Sequence, residues 1–138
     1  MDIVSKSKRS EIMAKVSSKD TKPEILVQKF LFSKSLCYRK NVKEFVGKPD
    51  IVLPKYKTII FIHGCFWHGH ENCKAAELPT SNVEYWTKKI SSNITRDIQN
   101  KEKLKELGWN VITIWECELK VKNRDKRFEL LLIEIQQR

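Results

Sequence analysis

All three histidines of the chain, His63, His68 and His70, fall in the stretch IHGCFWHGHENC (62–73). The same stretch holds two of the four cysteines, Cys65 and Cys73, and an adjacent Phe66–Trp67 pair. Imidazole exchanges protons near neutral pH without unusual burial, and imidazole with thiolate is a ligand set for zinc. Cys65, His70 and Cys73 have the spacing Cys-x4-His-x2-Cys, three ligands where a tetrahedral structural zinc needs four. Cys117, in WECEL, is the natural fourth if the apolar runs 58–62 and 110–115 are parallel neighbours. The plainer reading of Cys117 is a small buried hydrophobe. Cys37, in an apolar strand context, is read as a core thiol. With His70 given to zinc, His63 and His68 are free for proton transfer.

A second constellation is GKPD, which sets Asp50 at the start of one strand, while the next strand delivers His63 at its end. A carboxylate is a hard ligand suited to magnesium, an ion that keeps several waters and binds substrate phosphate. Pro-Asp followed by an acidic or carbonyl oxygen from the hairpin partner is the metal-binding core of many DNA-cleaving enzymes. Alone, the dipeptide is common in turns.

The elements that must position these groups follow from local patterns. TKPE (21–24) reads as a helix start, with Thr21 as N-cap, proline in the first turn and Glu24 at the capping-box position. Ile25, Leu26, Lys29 and Phe30 carry that helix to about residue 33. CYRKN (37–41) is a candidate strand, and PDIVL (49–53) and TIIFI (58–62), joined by PKYK, read as a hairpin. A long helix is expected over 82–107 on a stripe of Val83, Trp86, Ile90, Ile94 and Ile98, with Gly108 beyond its end. NVITIW (110–115) is a further strand, and FELLLIEI (128–135) sits in a closing helix. This order predicts an α/β fold, a mixed β-sheet flanked by helices on both faces.

At 138 residues the chain suits one domain, here residues 1–138, with a basic segment over 1–20. A formal charge of +10 favours a polyanionic partner, because lysine and arginine release counterions on phosphate binding. Solvated lysine-rich faces are the alternative. No apolar run approaches the roughly 20 residues of a membrane span, and the N-terminus lacks a signal-peptide core. A cytoplasmic protein with reduced cysteines is therefore expected.

Several of these stretches together resemble one family, the very-short-patch-repair (Vsr) DNA mismatch endonucleases. They are SEIMAKVSSKDTKPE, GKPDIVLP, TIIFIHGCFWHGH, YWTKKISSNITRD and LGWNVITIWECEL, spanning residues 10–119. The resemblance implies a restriction-endonuclease-like core with a structural zinc site. It implies a magnesium-dependent enzyme that nicks one strand next to the T of a T:G mismatch, the product of deaminated 5-methylcytosine. By position, Asp50 resembles the magnesium-binding aspartate, aided by the backbone carbonyl of Ile62. His68 resembles the general base, and His63 and Glu24 support the metal-water shell. Cys65, His70, Cys73 and Cys117 resemble the zinc ligands. Phe66, Trp67 and Trp86 match aromatics that wedge into the base stack, and Met13 and Asn93 match further DNA contacts. IHG stands where related nucleases carry an acid-x-lysine. The implied partner is double-stranded DNA with a T:G mismatch, met by a monomer in the bacterial cytoplasm, at the nucleoid; mismatch-repair proteins are a further partner the resemblance suggests.

Two readings remain beside the chief one. Glu24 serves a capping box equally well, and Trp86 lies on a stripe where core packing is the commoner role. At the level of the protein, the alternatives are a restriction-type nuclease acting on paired DNA and a non-catalytic zinc-dependent DNA-binding module.

Overall fold

The computed structural model describes residues 21–136, so Met13 and the basic 1–20 segment lie outside the described residues. Thr21 has extended backbone and precedes α1 (Lys22–Ser33). Its amide donates to Glu24 Oε2 at 3.3 Å, so the expected capping bond forms. A short β1 (Arg39–Lys40) follows, then β2 (Ile51–Leu53) and β3 (Thr58–His63), the last two joined by a 3-10 turn at Pro54–Tyr56. The crossover helix α2 (Val83–Glu106) leads to β4 (Asn110–Trp115), a 3-10 turn at Glu116–Leu119, and α3 (Val121–Gln136).

The four strands pair in the order β1-β2-β3-β4. The first two pairings are antiparallel and β3–β4 is parallel, in register from Thr58 opposite Asn110 to His63 opposite Trp115. The sheet is therefore mixed, as the order of elements predicts. Side chains alternate across a strand. Ile60, Ile112 and Ile114 accordingly face α1 and α3, packing with Val27, Leu31, Leu131 and Ile135. Ile59 and Phe61 face the other way with Val52 and Leu104 of α2. His63, two residues beyond Phe61, continues the α2 side and is 4% exposed.

Two expectations need correction. Cys37 is exposed, because β1 begins only at Arg39 and the sheet does not cover the residue before it. The stripe assigned to the long helix is also displaced: Val83, Ile94 and Ile98 are exposed, and Ile90 alone of the apolar residues after Trp86 in that stripe is buried. The inward face runs instead through Trp86, Ile90, Asn93, Asp97 and Leu104, a helical spacing that includes polar residues. The first half of α2 extends past the sheet and meets the loop after β3. There Gly69 has φ +59, and a Cβ on it would lie 2.6 Å from Ile94 and 2.8 Å from Ile90. The loop sits directly on the helix, and only glycine permits both the backbone conformation and the approach.

Candidate active site and metal centre

β2 and β3 bring Asp50 to the end of the hairpin, where the Ile62 amide donates to Asp50 Oδ2 at 2.7 Å. In an antiparallel ladder a residue's amide and carbonyl face the same neighbour, so the Ile62 carbonyl faces the Asp50 side. Glu24, buried at the start of α1, lies against the same carboxyl. Burial pushes Asp50 up to about 7; the Ile62 amide works against the rise and the Glu24 carboxylate adds to it. Two neighbouring carboxyls, one of them held this far from its ordinary value, mark a place that gains from a cation. Glu24 thus makes its capping bond and also faces Asp50.

The second part of the site joins β3 to α2. The rings of His63 and His68 stack with centroids 3.8 Å apart and an interplanar angle of 4°. His68 Nδ1 is hydrogen-bonded to Asp97 Oδ2 at 2.6 Å. Burial works to raise the Asp97 carboxyl, but the hydrogen bond to His68, with the Lys101 ammonium adding to it, outweighs burial and holds it below the usual range. An ionised carboxylate only accepts, so Nδ1 of His68 carries the proton. With the proton on Nδ1, Nε2 is the nitrogen left to act as a base. His63 differs: burial, with help from His68 and Lys101, takes its imidazole down to about 3. It stays neutral, and its Nδ1 is buried with no hydrogen-bond partner.

The ligand atoms of His63, His68 and Asp97 lie within 4.8 Å of one another. Imidazole ligands, however, bind metals through in-plane lone pairs. Those of two parallel stacked rings do not converge on one ion, so the arrangement suits proton transfer better than coordination.

The ligand atoms of Cys65, His70, Cys73 and Cys117 also lie within 4.8 Å of one another and could hold a metal ion. The parallel β3–β4 pairing makes this closure, since Cys117 lies just past the strand end that matches His63. Cys117 Sγ is 3.4 Å from His70 Nδ1, close to the roughly 3.5 Å between ligands of a tetrahedral zinc. Burial pushes the Cys65 thiol up to about 12, with the neighbouring cysteines adding to the rise. Burial would raise Cys73 too, but the Ala75 amide and its cysteine neighbours hold it below the ordinary value.

Phe66, Trp67 and Trp86 form an edge-to-face cluster with centroids 5.2 to 5.7 Å apart. Trp67 is 43% exposed, and Trp86 stands in this cluster, outside both core clusters. Asn93 is buried and donates to the Trp67 carbonyl at 2.8 Å, while Arg96 donates to the Asn93 side chain at 3.1 Å. The residue expected at the DNA thus fixes the backbone of the aromatic beside it.

Sequence reasoning missed Asp97. A polar residue in helical step with Trp86, Ile90 and Asn93 was the available signal for Asp97.

Comparison with known proteins identifies the family. The family model of DNA mismatch endonuclease Vsr matches residues 1–74. The chain is 57% identical over 121 residues to Type II nicking enzyme V.NmeAIP of Neisseria meningitidis serogroup A, covering 88% of this chain and 86% of the relative. It is 42% identical over 118 residues to Type II nicking enzyme V.XorIIP of Xanthomonas oryzae, covering 86% of each. Over 133 residues it is 36% identical to DNA mismatch endonuclease Vsr of Escherichia coli, covering 96% of this chain and 83% of the relative.

Proposed function

Because the chain belongs to the Vsr family of DNA mismatch endonucleases and is a DNA-nicking hydrolase, we propose that it acts beside the T of a T:G mismatch, with magnesium. Such a mismatch arises when 5-methylcytosine is deaminated, and the nick would start very short patch repair. Membership of this family sets aside the non-catalytic binding module. The observation that carries the reading is an adjacency. Trp67, whose backbone is tied to Asn93, directly precedes His68, whose ring is tied to Asp97.

The chain's own groups divide the work. Phe66 and Trp67 enter the base stack, at a cost that is smallest where the pair is already mismatched. The strand is thereby turned so that a phosphate faces His68. Asp97 fixes the proton on Nδ1, and Nε2 takes a proton from a water as the water oxygen attacks phosphorus. The bond from phosphorus to the departing sugar oxygen breaks, and that oxygen leaves with a proton from solvent. His63, neutral and buried, walls the base on its other face. Asp50 and the Ile62 carbonyl, with Glu24 beside them, are the groups that would hold magnesium, which supplies charge neutralisation at the phosphate and leaving oxygen. The Cys65, His70, Cys73 and Cys117 set suits zinc, which would pin the loop carrying Phe66 to His68.

The test is a nicking assay on two duplexes that differ only in a T:G or T:A pair, with and without added magnesium. A nick confined to the T-bearing strand of the T:G duplex, and only with magnesium, is expected. Equal cutting of the T:A duplex would favour the restriction-type reading.

A further inference from the structure

The metal cluster and the catalytic histidines are separate sites, yet one side chain touches both. The Trp115 indole stacks on the ring of His70, with centroids 4.1 Å apart and planes within 6°. Its edge meets His63 at 5.2 Å and 72°, and His63 in turn stacks on His68. His70, Trp115, His63 and His68 are therefore one continuous series of rings from the metal cluster to the base. Trp115 is anchored at its backbone by its place opposite His63 at the end of the parallel pair. Its amide also donates to Glu118 Oε1 at 2.8 Å.

The His63 environment makes this contact matter. A buried polar ring is ordinarily oriented by hydrogen bonds, but Nδ1 of His63 has none. Its orientation rests on neighbouring rings: His68 on one face, with Phe61 at 5.7 Å and Trp115 at 5.2 Å. Remove the indole and His63 can rotate, and with it the surface on which His68 stacks. Asp97 alone would hold His68 at one atom without fixing its plane.

We propose that Trp115 is a positioning residue that couples the metal-bound loop to the catalytic histidines. Metal at Cys65, His70, Cys73 and Cys117 then does more than stabilise the fold, because fixing His70 fixes the indole that orients His63 and His68. This rests on the reading of His63 and His68 as the catalytic pair and of the cysteine–histidine cluster as a zinc site.

The chain has only three histidines, so imidazole nitrogen NMR of the zinc-loaded full chain resolves each ring. Nitrogen shifts report the tautomer and respond little to the ring current of a lost indole. In Trp115→Leu, with zinc content at the wild-type level, His70 should keep its metal-bound pattern and His68 its Nδ1 proton, while the ring signals of His63 and His68 broaden as the two rings become mobile. The nicking kcat should fall about 100-fold with KM unchanged, the scale expected when a catalytic group is misplaced. Trp115→Phe, which keeps a ring in the series, should recover most of that loss. If Trp115→Leu does not retain zinc, Trp115→Phe alone decides, with a fall of about threefold and partial broadening expected. Ring signals as sharp as in the wild type, an unchanged kcat, or a rise in KM alone would each overturn the proposal. Failure of the catalytic reading itself would show differently, as nicking by His68→Ala.

Discussion

His68 and Asp97, far apart in sequence, are joined by a 2.6 Å hydrogen bond between Nδ1 and a carboxylate oxygen. That contact gives the imidazole one tautomer and leaves the other nitrogen to do chemistry. Asp97→Asn offers an amide in place of an ionised acceptor and permits the wrong tautomer. Nicking should fall by about 100-fold or more, the range general-base catalysis supplies, with zinc content and DNA binding unchanged. A variant that nicks at the wild-type rate would remove Asp97 from the mechanism.

Asn93 and Trp67 should act together. Trp67→Ala loses one stacking contact, worth on the order of 1–3 kcal/mol of preference for T:G over paired DNA. Asn93→Ala frees the Trp67 carbonyl and should reduce the same preference. Both variants should keep salt-dependent binding to any duplex, which rests on the excess of basic residues. Competition binding between the two duplexes measures this, and undiminished discrimination in Trp67→Ala would deny it the wedge role.

The cysteine–histidine cluster should hold one zinc per chain. Cys117→Ala removes the ligand that reaches across from the end of β4, and should lose the metal and lower Tm. Elemental analysis and thermal unfolding read this directly. Full zinc and unchanged Tm in that variant would mean that Cys117 is a packing residue.

Much of this was legible because the motifs are local. The Thr21–Glu24 cap, the 49–53 and 58–62 hairpin and the cysteine–histidine spacing each depend on residues a few positions apart. The parallel pairing that brings Cys117 to His70 entered only as a condition on two apolar runs, and β3 and β4 meet that condition. The face of α2 was not legible by counting apolar residues, because its inward side carries Asn93 and Asp97 while Ile94 and Ile98 point outward. Helical periods find a face that packs on a core; this half of the helix packs on a functional loop. Cys37 was misjudged for a related reason: its apolar neighbours are drawn inward at Leu36, but the strand starts beyond it.

Asp50 makes stability depend on pH. Its carboxyl is raised from 3.8 to about 7, chiefly by burial. Between those values the folded protein holds a proton that the unfolded chain has released, so this contribution favours the fold at low pH. It is lost as pH rises through about 7. In magnesium-free buffer, Asp50→Asn should therefore flatten the decline in Tm across that window relative to wild type. Magnesium, which takes the ionised carboxylate, should raise wild-type Tm more at about pH 8 than at about pH 5 and leave the Asp50→Asn Tm unmoved. A wild-type response to magnesium that persists in Asp50→Asn would place the ion elsewhere.

The central claim is that mismatch recognition and strand cleavage are adjacent but separable, with the base at His68. The most direct measurement is the paired binding and single-turnover nicking of His68→Ala on T:G and T:A duplexes in magnesium. The account predicts that the variant still prefers the T:G duplex as wild type does, while nicking falls by about 100-fold or more. Nicking at the wild-type rate would contradict it and make His63 the next base to test.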